Sequence, residues 1–343
     1  MRTCRVTINF RVIFSLTAGL LLYWLIYGKK SYIHHKPKLL EMGFEVGPNG
    51  KLTKRLDSVR NMMIESGQLK RRRLFHQHCS RRHNNLSHYT KRHLYVLDEY
   101  KLMYCFIPKV GCSNWKRILM VLHGERTSVD GLTSEEVHAQ SKLPFFHKYT
   151  NQQQEHAISN YTKFFFVRHP FKRVLSVYKN KFENLQNYQA KPLFQNYGKK
   201  IIKRWRKNPT QHDLETGEGV TWPEFVNYLI HVREREKFEK DDYWSDHWRE
   251  MHKLCSPCEL QYDFVGKLEE ITTESKYLLD RLNISGKVKY LSSASSRPTN
   301  SSDEVTYKSY FSMLSKEHIL GLWKLYKTDF ILFGYDKPDF VPK

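Results

Sequence analysis

Apolar and polar positions divide the chain into stretches of different character. Residues 12–28 (VIFSLTAGLLLYWLIYG) form an uncharged apolar run, flanked by Arg2, Arg5 and Arg11 on one side and by Lys29 and Lys30 on the other. Such a run reads as a membrane segment, and about 17 residues lies at the short end of the spanning range, which suits the thinner bilayers of the early secretory pathway. A cleaved signal peptide is the competing reading. The run ends in aromatics and Lys29-Lys30 without a small-x-small cleavage site, which favours retention as an anchor. Residues 29–94 are polar and strongly basic, with Lys70, Arg71, Arg72 and Arg73 in one block, and show little apolar periodicity. They read as a stem. Beyond them apolar density rises and stays high. The predicted organisation is a tail at 1–11, an anchor at 12–28, a stem at 29–94 and one globular domain at 95–343.

Within the domain, 102–107 (LMYCFI) reads as a buried strand, 108–113 as a tight loop and 114–123 as a helix. Trp115, Ile118, Leu119 and Leu122 fall on one helical face, with Lys116 and Arg117 pointing away. The same unit recurs at 163–167 (KFFFV), followed by a turn at Arg168-His169-Pro170. A helix to about Phe182 then carries Phe171, Val174, Leu175, Tyr178 and Phe182 inward. Pro170 suits a first helical position. A third strand at 263–266 precedes a helix at 272–282. Strands alternating with helices predict an α/β domain with a parallel sheet, in which ligands bind beyond the carboxyl ends of the strands. Both loops just described lie there.

Charge narrows the partner. At 40% apolar and 14% aromatic the chain is not compositionally disordered, and a net charge of +22 points to an anion, whether nucleic acid, anionic lipid or acidic glycan. The anchor upstream argues against reading the basic block as a nuclear signal. Four Asn-x-Ser/Thr sequons, at Asn85, Asn160, Asn283 and Asn300, permit a luminal body and glycosylation. With Cys4 in the tail, five cysteines remain (Cys79, Cys105, Cys112, Cys255 and Cys258), so at least one thiol is free or pairs between chains. Cys255-Ser-Pro-Cys258 has no second pair to complete a zinc site; a structural disulfide, local or to another cysteine, is preferred over zinc or redox chemistry.

The loop of Pro108, Lys109, Val110, Gly111, Cys112, Ser113 and Asn114 opens onto a helix N-terminus, where free N–H groups and the helix dipole attract an anion. Lys109 adds a charge there and Ser113 a hydroxyl. The spacing of a Walker A loop is absent. Arg168, Arg173 and Ser176 leave the second strand within two turns, and two guanidinium groups with a hydroxyl suit a dianionic phosphate. A surface turn and a solvated basic helix face are the bland alternatives.

These segments carry a resemblance. CFIPKVGCSNWK (105–116), FVRHPFKRVLSVY (166–178), LCSPC (254–258), YDFVGK (262–267) and DFILFGY (329–335) resemble the Golgi carbohydrate sulfotransferases of the chondroitin, dermatan and N-acetylgalactosamine 4-O group, which includes the HNK-1 glucuronyl sulfotransferase. The resemblance runs from about residue 95 to the C-terminus. It implies a P-loop-like sulfotransferase fold with a central parallel sheet flanked by helices, preceded by the membrane helix and stem. It also implies 3'-phosphoadenylyl sulfate (PAPS) as sulfuryl donor, no metal, an acidic glycan acceptor, no nucleic-acid partner, and a single-pass Golgi protein with its catalytic domain in the lumen.

By the same resemblance, 108–114 surrounds the 5'-phosphosulfate. Arg168, His169, Pro170, Phe171, Lys172, Arg173, Val174, Leu175 and Ser176 surround the 3'-phosphate, with Arg168 and Ser176 as direct ligands. Family members usually carry an acid at His169 and often Glu at Lys172, which puts the local electrostatics in question. Sulfuryl transfer is an in-line displacement with charge developing on the leaving phosphate oxygen. Lys109 is the residue expected to neutralise it, and His138 is the leading base for the acceptor hydroxyl, with His247 second. For the acceptor, 201–208 (IIKRWRKN) resembles the chondroitin 4-O enzymes and 333–340 (FGYDKPDF) the HNK-1 enzyme. Chondroitin or a related N-acetylgalactosamine glycan is expected. A membrane-tethered binding module for acidic glycan or nucleic acid is the rival class, and a P-loop nucleotide kinase the rival enzyme.

Overall fold

The computed structural model describes residues 51–79, 86–235, 245–291 and 299–342. The apolar run at 12–28, Cys4 and the Asn85 sequon lie outside them. The chain divides into two units, Met1–Val59 and Arg60–Lys343, and the second contains the sheet and both sequence-predicted anion loops. Among the described residues no helix is long and apolar enough to cross a membrane.

A four-stranded sheet, ordered β1 (Leu94–Leu97), β2 (Leu102–Cys105), β3 (Thr162–Val167) and β4 (Phe264–Lys267), forms the centre. β2, β3 and β4 run parallel, but β1 is antiparallel to β2 with Leu94 opposite Cys105. The sheet is therefore mixed, which corrects the wholly parallel expectation. The cause is local: a single turn at Asp98–Tyr100, closed by Lys101 in the left-handed region at φ 46°, joins the two strands. A link that short permits only antiparallel pairing. β1 and β2 are buried along their whole lengths, and Phe164, Phe165 and Phe166 of β3 are fully enclosed. Gly266 pairs with Phe166 across β3 and β4, and a Cβ there would overlap the Phe166 ring. The glycine of the YDFVGK segment makes room for an aromatic.

The helices that concern the site, in chain order, are α1 (Lys51–His78), α2 (Cys112–Leu122), α3 (Ser134–Ala139), α4 (Pro170–Tyr178), α5 (Pro192–Trp205), α6 (Trp222–Arg235), α7 (Met251–Cys255), α8 (Ile271–Arg281), α9 (Glu304–Ser312) and α10 (Lys316–Leu332). One core surrounds the sheet. A second, rich in aromatics such as Trp222, Phe225 and Trp248, gathers α4, α5, α6, α9 and α10. Pro170 opens α4 as expected, and Phe171, Val174, Leu175, Tyr178 and Phe182 are all buried. Beyond Tyr178 the helix widens into a π-helical turn, Lys179–Glu183. On α2, Lys116 and Arg117 do not point to solvent as the periodicity predicts. Both are buried, because Lys116 lies 4.3 Å over the Phe106 ring and Arg117 donates to Asn114 Oδ1 (2.7 Å) and Leu132 O (2.9 Å).

Part of the basic stretch is packed structure. From Arg60 onward α1 belongs to the compact unit: Ile64 and Phe75 are buried, and Gln68 exchanges hydrogen bonds with both main-chain groups of Val265 in β4 (3.1 and 2.9 Å). Arg71 donates to the same carbonyl and pairs with buried Glu274 of α8 at 2.6 Å. Few apolar side chains are involved, so hydropathy does not reveal this docking.

Disulfides link Cys79 to Cys258 and Cys105 to Cys255, leaving Cys112 free and buried. The two cysteines of Cys255-Ser-Pro-Cys258 thus bind distant partners, which removes zinc and local redox pairing. Asp329, fully buried in α10, accepts from the N–H groups of Met251 and His252 (2.7 and 2.9 Å) and from His252 Nδ1, so it fixes the start of α7. Asn160, Asn283 and Asn300 are exposed.

A form beginning at residue 31 should fold, whereas one beginning at residue 95 should not. The longer deletion leaves Glu274 buried without Arg71, about 3–5 kcal/mol, and removes the Cys79 bridge, about 2–5 kcal/mol. Together these approach the whole stability of a typical domain. Non-reducing urea denaturation checks this, and equal midpoints would show that residues 60–79 are dispensable.

Candidate active site at the carboxyl edge of the sheet

The loop after β2 and the start of α4 after β3 meet at the carboxyl ends of adjacent parallel strands. In the first, Lys109 adopts φ 72° and Gly111, which caps α2, φ 84°. Left-handed backbone is costly for lysine, so surrounding contacts must hold it. Gly111 has a second reason to lack a side chain: a Cβ would overlap Tyr290 Oη, which donates to Gly111 O at 3.3 Å. Asn114 and Trp115 donate back to Gly111 O (3.1 and 3.4 Å), while the N–H groups of Cys112 and Ser113 at the helix start have no intrahelical acceptor and present a positive rim. Val110 is fully buried.

Two arginines hold this loop by its carbonyls. Arg168 Nη1 donates to Lys109 O (3.2 Å), and Arg173 Nε donates to Pro108 O (2.9 Å). Arg173 also donates to Arg249 O (2.7 Å) and Asp246 O (2.9 Å). With its donors engaged on carbonyls and its side chain 1% exposed, Arg173 acts as a brace. Arg168 is different. Its Nη2 reaches Ser301 Oγ (2.9 Å) and Ser302 Oγ (2.7 Å), and its buried Nε has no protein acceptor among the described residues. Burial pushes its pKa down to about 10, against the pull of Glu269 and Tyr335, so it stays charged at neutral pH. Ser176 Oγ meets Thr299 Oγ1 at 3.0 Å, and Thr299 meets Ser301 at 2.7 Å. Arg168, Ser176, Thr299, Ser301 and Ser302 together form a cradle of hydroxyls around one guanidinium, which suits an anion with several acceptor oxygens.

His169 caps α4 by accepting from Lys172 N (3.4 Å), and its own N–H donates to Glu269 Oε1 (2.8 Å). Burial first, and then Lys172 and Arg168, push its pKa down to about 3. A neutral ring thereby supplies the acceptor that an acid would supply at this position. Lys172 pairs with Glu304 and donates to Ser302 O (3.2 Å), which ties α9 to the cradle. Phe171, Val174 and Leu175 are fully buried in the second core.

The capping box of α3, between Thr133 and Glu136, delivers His138 to the first loop. Its Nε2 lies 2.8 Å from Ser113 Oγ and its Nδ1 3.4 Å from Lys116 Nζ. A lysine donating to Nδ1 assigns the proton to Nε2, which then donates to Ser113. One edge of the ring is exposed, yet crowding of the other desolvates it, and the charges of Lys116, Lys181, Arg117 and Lys191 add to this, so its pKa falls to about 3. His247 contacts Ser245 Oγ through Nδ1 at 3.1 Å. Burial chiefly, then Lys181, Lys109 and Arg173, drives its pKa well down. The two histidines and Lys109 thus share one electrostatic neighbourhood. Thr299, Ser301, Ser302 and Lys116 escaped the sequence reading. The only trace of the first three is a Ser/Thr-rich run, SSASSRPTNSS at 292–302.

Residues 92–336 match the sulfotransferase family. The chain is 38% identical over 266 residues to carbohydrate sulfotransferase 11 of Mus musculus, covering 76% of this chain and 72% of that protein. It is 34% identical over 282 residues to carbohydrate sulfotransferase 8 of Mus musculus (80% and 65%), and 33% identical over 248 residues to carbohydrate sulfotransferase 14 of Danio rerio (72% and 63%). No solved structure gives a significant match. The matched span takes in all four strands, the loop after β2 and the hydroxyl cradle after β3, and on that evidence the chain belongs to the sulfotransferase family.

Proposed function

We propose that the chain transfers the sulfuryl group of PAPS to a carbohydrate hydroxyl, with position 4 of N-acetylgalactosamine in chondroitin or a related acidic glycan as acceptor, on the luminal side of the Golgi membrane. Arg168 is the observation that carries this reading. One buried guanidinium links the main chain of a helix-N-terminal anion loop to a second anion cradle of hydroxyls, as a donor with a 5'-phosphosulfate and a 3'-phosphate requires. The named carbohydrate sulfotransferases and the charge of +22 support a glycan acceptor rich in anions. Two disulfides and exposed sequon asparagines favour an oxidising lumen, with residues 12–28 as the anchor.

The acceptor oxygen attacks sulfur in line. A new O–S bond forms as the bond to the 5'-phosphate oxygen breaks, the acceptor proton passes to a base, and the leaving phosphate takes the electron pair. Lys109 and the first-turn N–H groups of α2 stabilise the charge on that oxygen. His138 is the base once its Nδ1 is released from Lys116, and the negative charge of a donor bound at the adjacent loop opposes the field of the cations around the ring. Donor binding therefore raises its proton affinity at the moment a base is needed.

Three kinds of measurement test this. With PAPS and desulfated chondroitin, dermatan and N-glycan acceptors, Arg168→Ala should raise KM for PAPS roughly 30- to 150-fold, because the 3'-phosphate keeps its charge throughout. Lys109→Ala should lower kcat about 100-fold or more, since its partner gains charge only as the bond breaks. A wild-type kcat in the Lys109 variant would remove it from the leaving group. By NMR, His138 should remain neutral from pH 8 to 5 in the free protein, and its pKa should rise on adding 3'-phosphoadenosine 5'-phosphate (PAP); titration near 6.5 without nucleotide would contradict the electrostatic account. In sealed microsomes, residues after Lys30 should resist protease and lose mass with N-glycosidase, and cleavage without detergent would refute the topology.

A further inference from the structure

A cleft of about 1,060 Å³ lies beside the anion loop and is lined by no residue of 108–114 or 168–176. Its position follows from the sheet. Phe106, one of its walls, leaves the carboxyl end of β2 two residues before Pro108, and its N–H donates to the carbonyl of His93 at 2.9 Å. Asp246, another wall, is bound through its carbonyl by the same guanidinium that holds Pro108 O. The cleft and the anion loop are thus neighbours at one end of the sheet, sharing Arg173 as a strut.

The lining is cationic. Arg92, Lys148, Arg249 and Lys253 face two acids, Asp246 and Glu259. Lys253 is paired with Glu250 at 2.9 Å. Among the described residues no carboxylate lies within ion-pair distance of Arg92 or Lys148, and both side chains are exposed. Tyr89 and Phe145 are half-buried in the same lining, Tyr89 with Arg249 4.1 Å over its ring and Phe145 packed on Tyr95 at 4.5 Å, so the aromatics brace the basic side chains of the cleft. At its volume the cleft reaches the upper end of ligand pockets, more than a single sugar fills.

We propose that this cleft binds the arm of the acceptor that flanks the reacting sugar, and that this arm is a polymeric glycan bearing carboxylates. Arg92 and Lys148 hold the carboxylates, and the hydroxyl to be modified extends past Phe106 towards Lys109. The inference rests on the reading of the chain as a PAPS-dependent carbohydrate sulfotransferase and adds to it where the acceptor lies and which residues hold its carboxylates.

Calorimetric binding of an unsulfated chondroitin hexasaccharide to the detergent-solubilised full chain, in the presence of PAP, tests it without turnover. Arg92→Ala with Lys148→Ala should weaken binding roughly 10- to 100-fold. Lys316→Ala with Lys327→Ala removes the same charge from the exposed side of α10 and should change binding less than about twofold. A neutral N-acetylhexosamine hexasaccharide should bind at least about 10-fold more weakly than the acidic one. PAP affinity confirms folding, and if the first double variant loses it, Lys148→Gln alone is read in the same way.

Unchanged binding in the cleft variant, or equal losses in the two double variants, would overturn the proposal. So would a single-stranded DNA hexamer that bound as tightly as the glycan with the same dependence on Arg92 and Lys148. A protein that bound the glycan as expected but transferred no sulfate from PAPS would uphold the cleft and refute the proposed reaction.

Discussion

A positive charge buried with no carboxylate in contact among the described residues holds the site together. Arg173 aims its donors at the carbonyls of Pro108, Asp246 and Arg249, so the anion loop, the first turns of α4 and the segment before α7 converge on one guanidinium. Withdrawing an ion from water costs several kcal/mol, and carbonyl dipoles offset that cost only while all of them stay aimed. Movement of any one segment would strand the charge. Arg173 therefore makes the position of the loop a cooperative property of three chain segments. It also lets Lys109 sit in a backbone conformation that a surface loop would relax.

Arg168 extends the same logic from structure to ligand. It fixes Lys109 O with one nitrogen and faces Ser301 and Ser302 with another. The geometry of the two anion cradles is set by a single rigid fork, which a lysine, as a point charge on a flexible stem, would not reproduce. His169 and Lys172 follow from this arrangement. The neutral His169 ring caps α4, while Lys172 turns away to Glu304 and Ser302 O, so departures from the usual acids are absorbed by local partners.

The elements nearest the chemistry were the most legible. Strand, loop and helix alternate with clear periodicities at 102–123 and 163–182, and a lysine and glycine at a helix start announce anion binding on physical grounds. What stayed hidden was of three kinds. The antiparallel pairing of β1 depends on a three-residue turn, which hydropathy does not register. Lys116 and Arg117 are polar by type yet buried, since aromatic faces and carbonyls take the place of water around them. The docking of residues 60–79 and the hydroxyls of Thr299, Ser301 and Ser302 come from contacts more than 100 residues apart in sequence. No local pattern encodes such contacts.

The paired bridges at Cys255 and Cys258 impose an order of events on biosynthesis. Cys79 and Cys105 leave the ribosome 179 and 150 residues before their partners, so both thiols wait through about half of translation with each other and Cys112 at hand. Any bridge closed early among these three would have to be exchanged before the native pairs form. The anion loop, which follows Cys105 by three residues, therefore gains its covalent tether only after Cys255 has been synthesised.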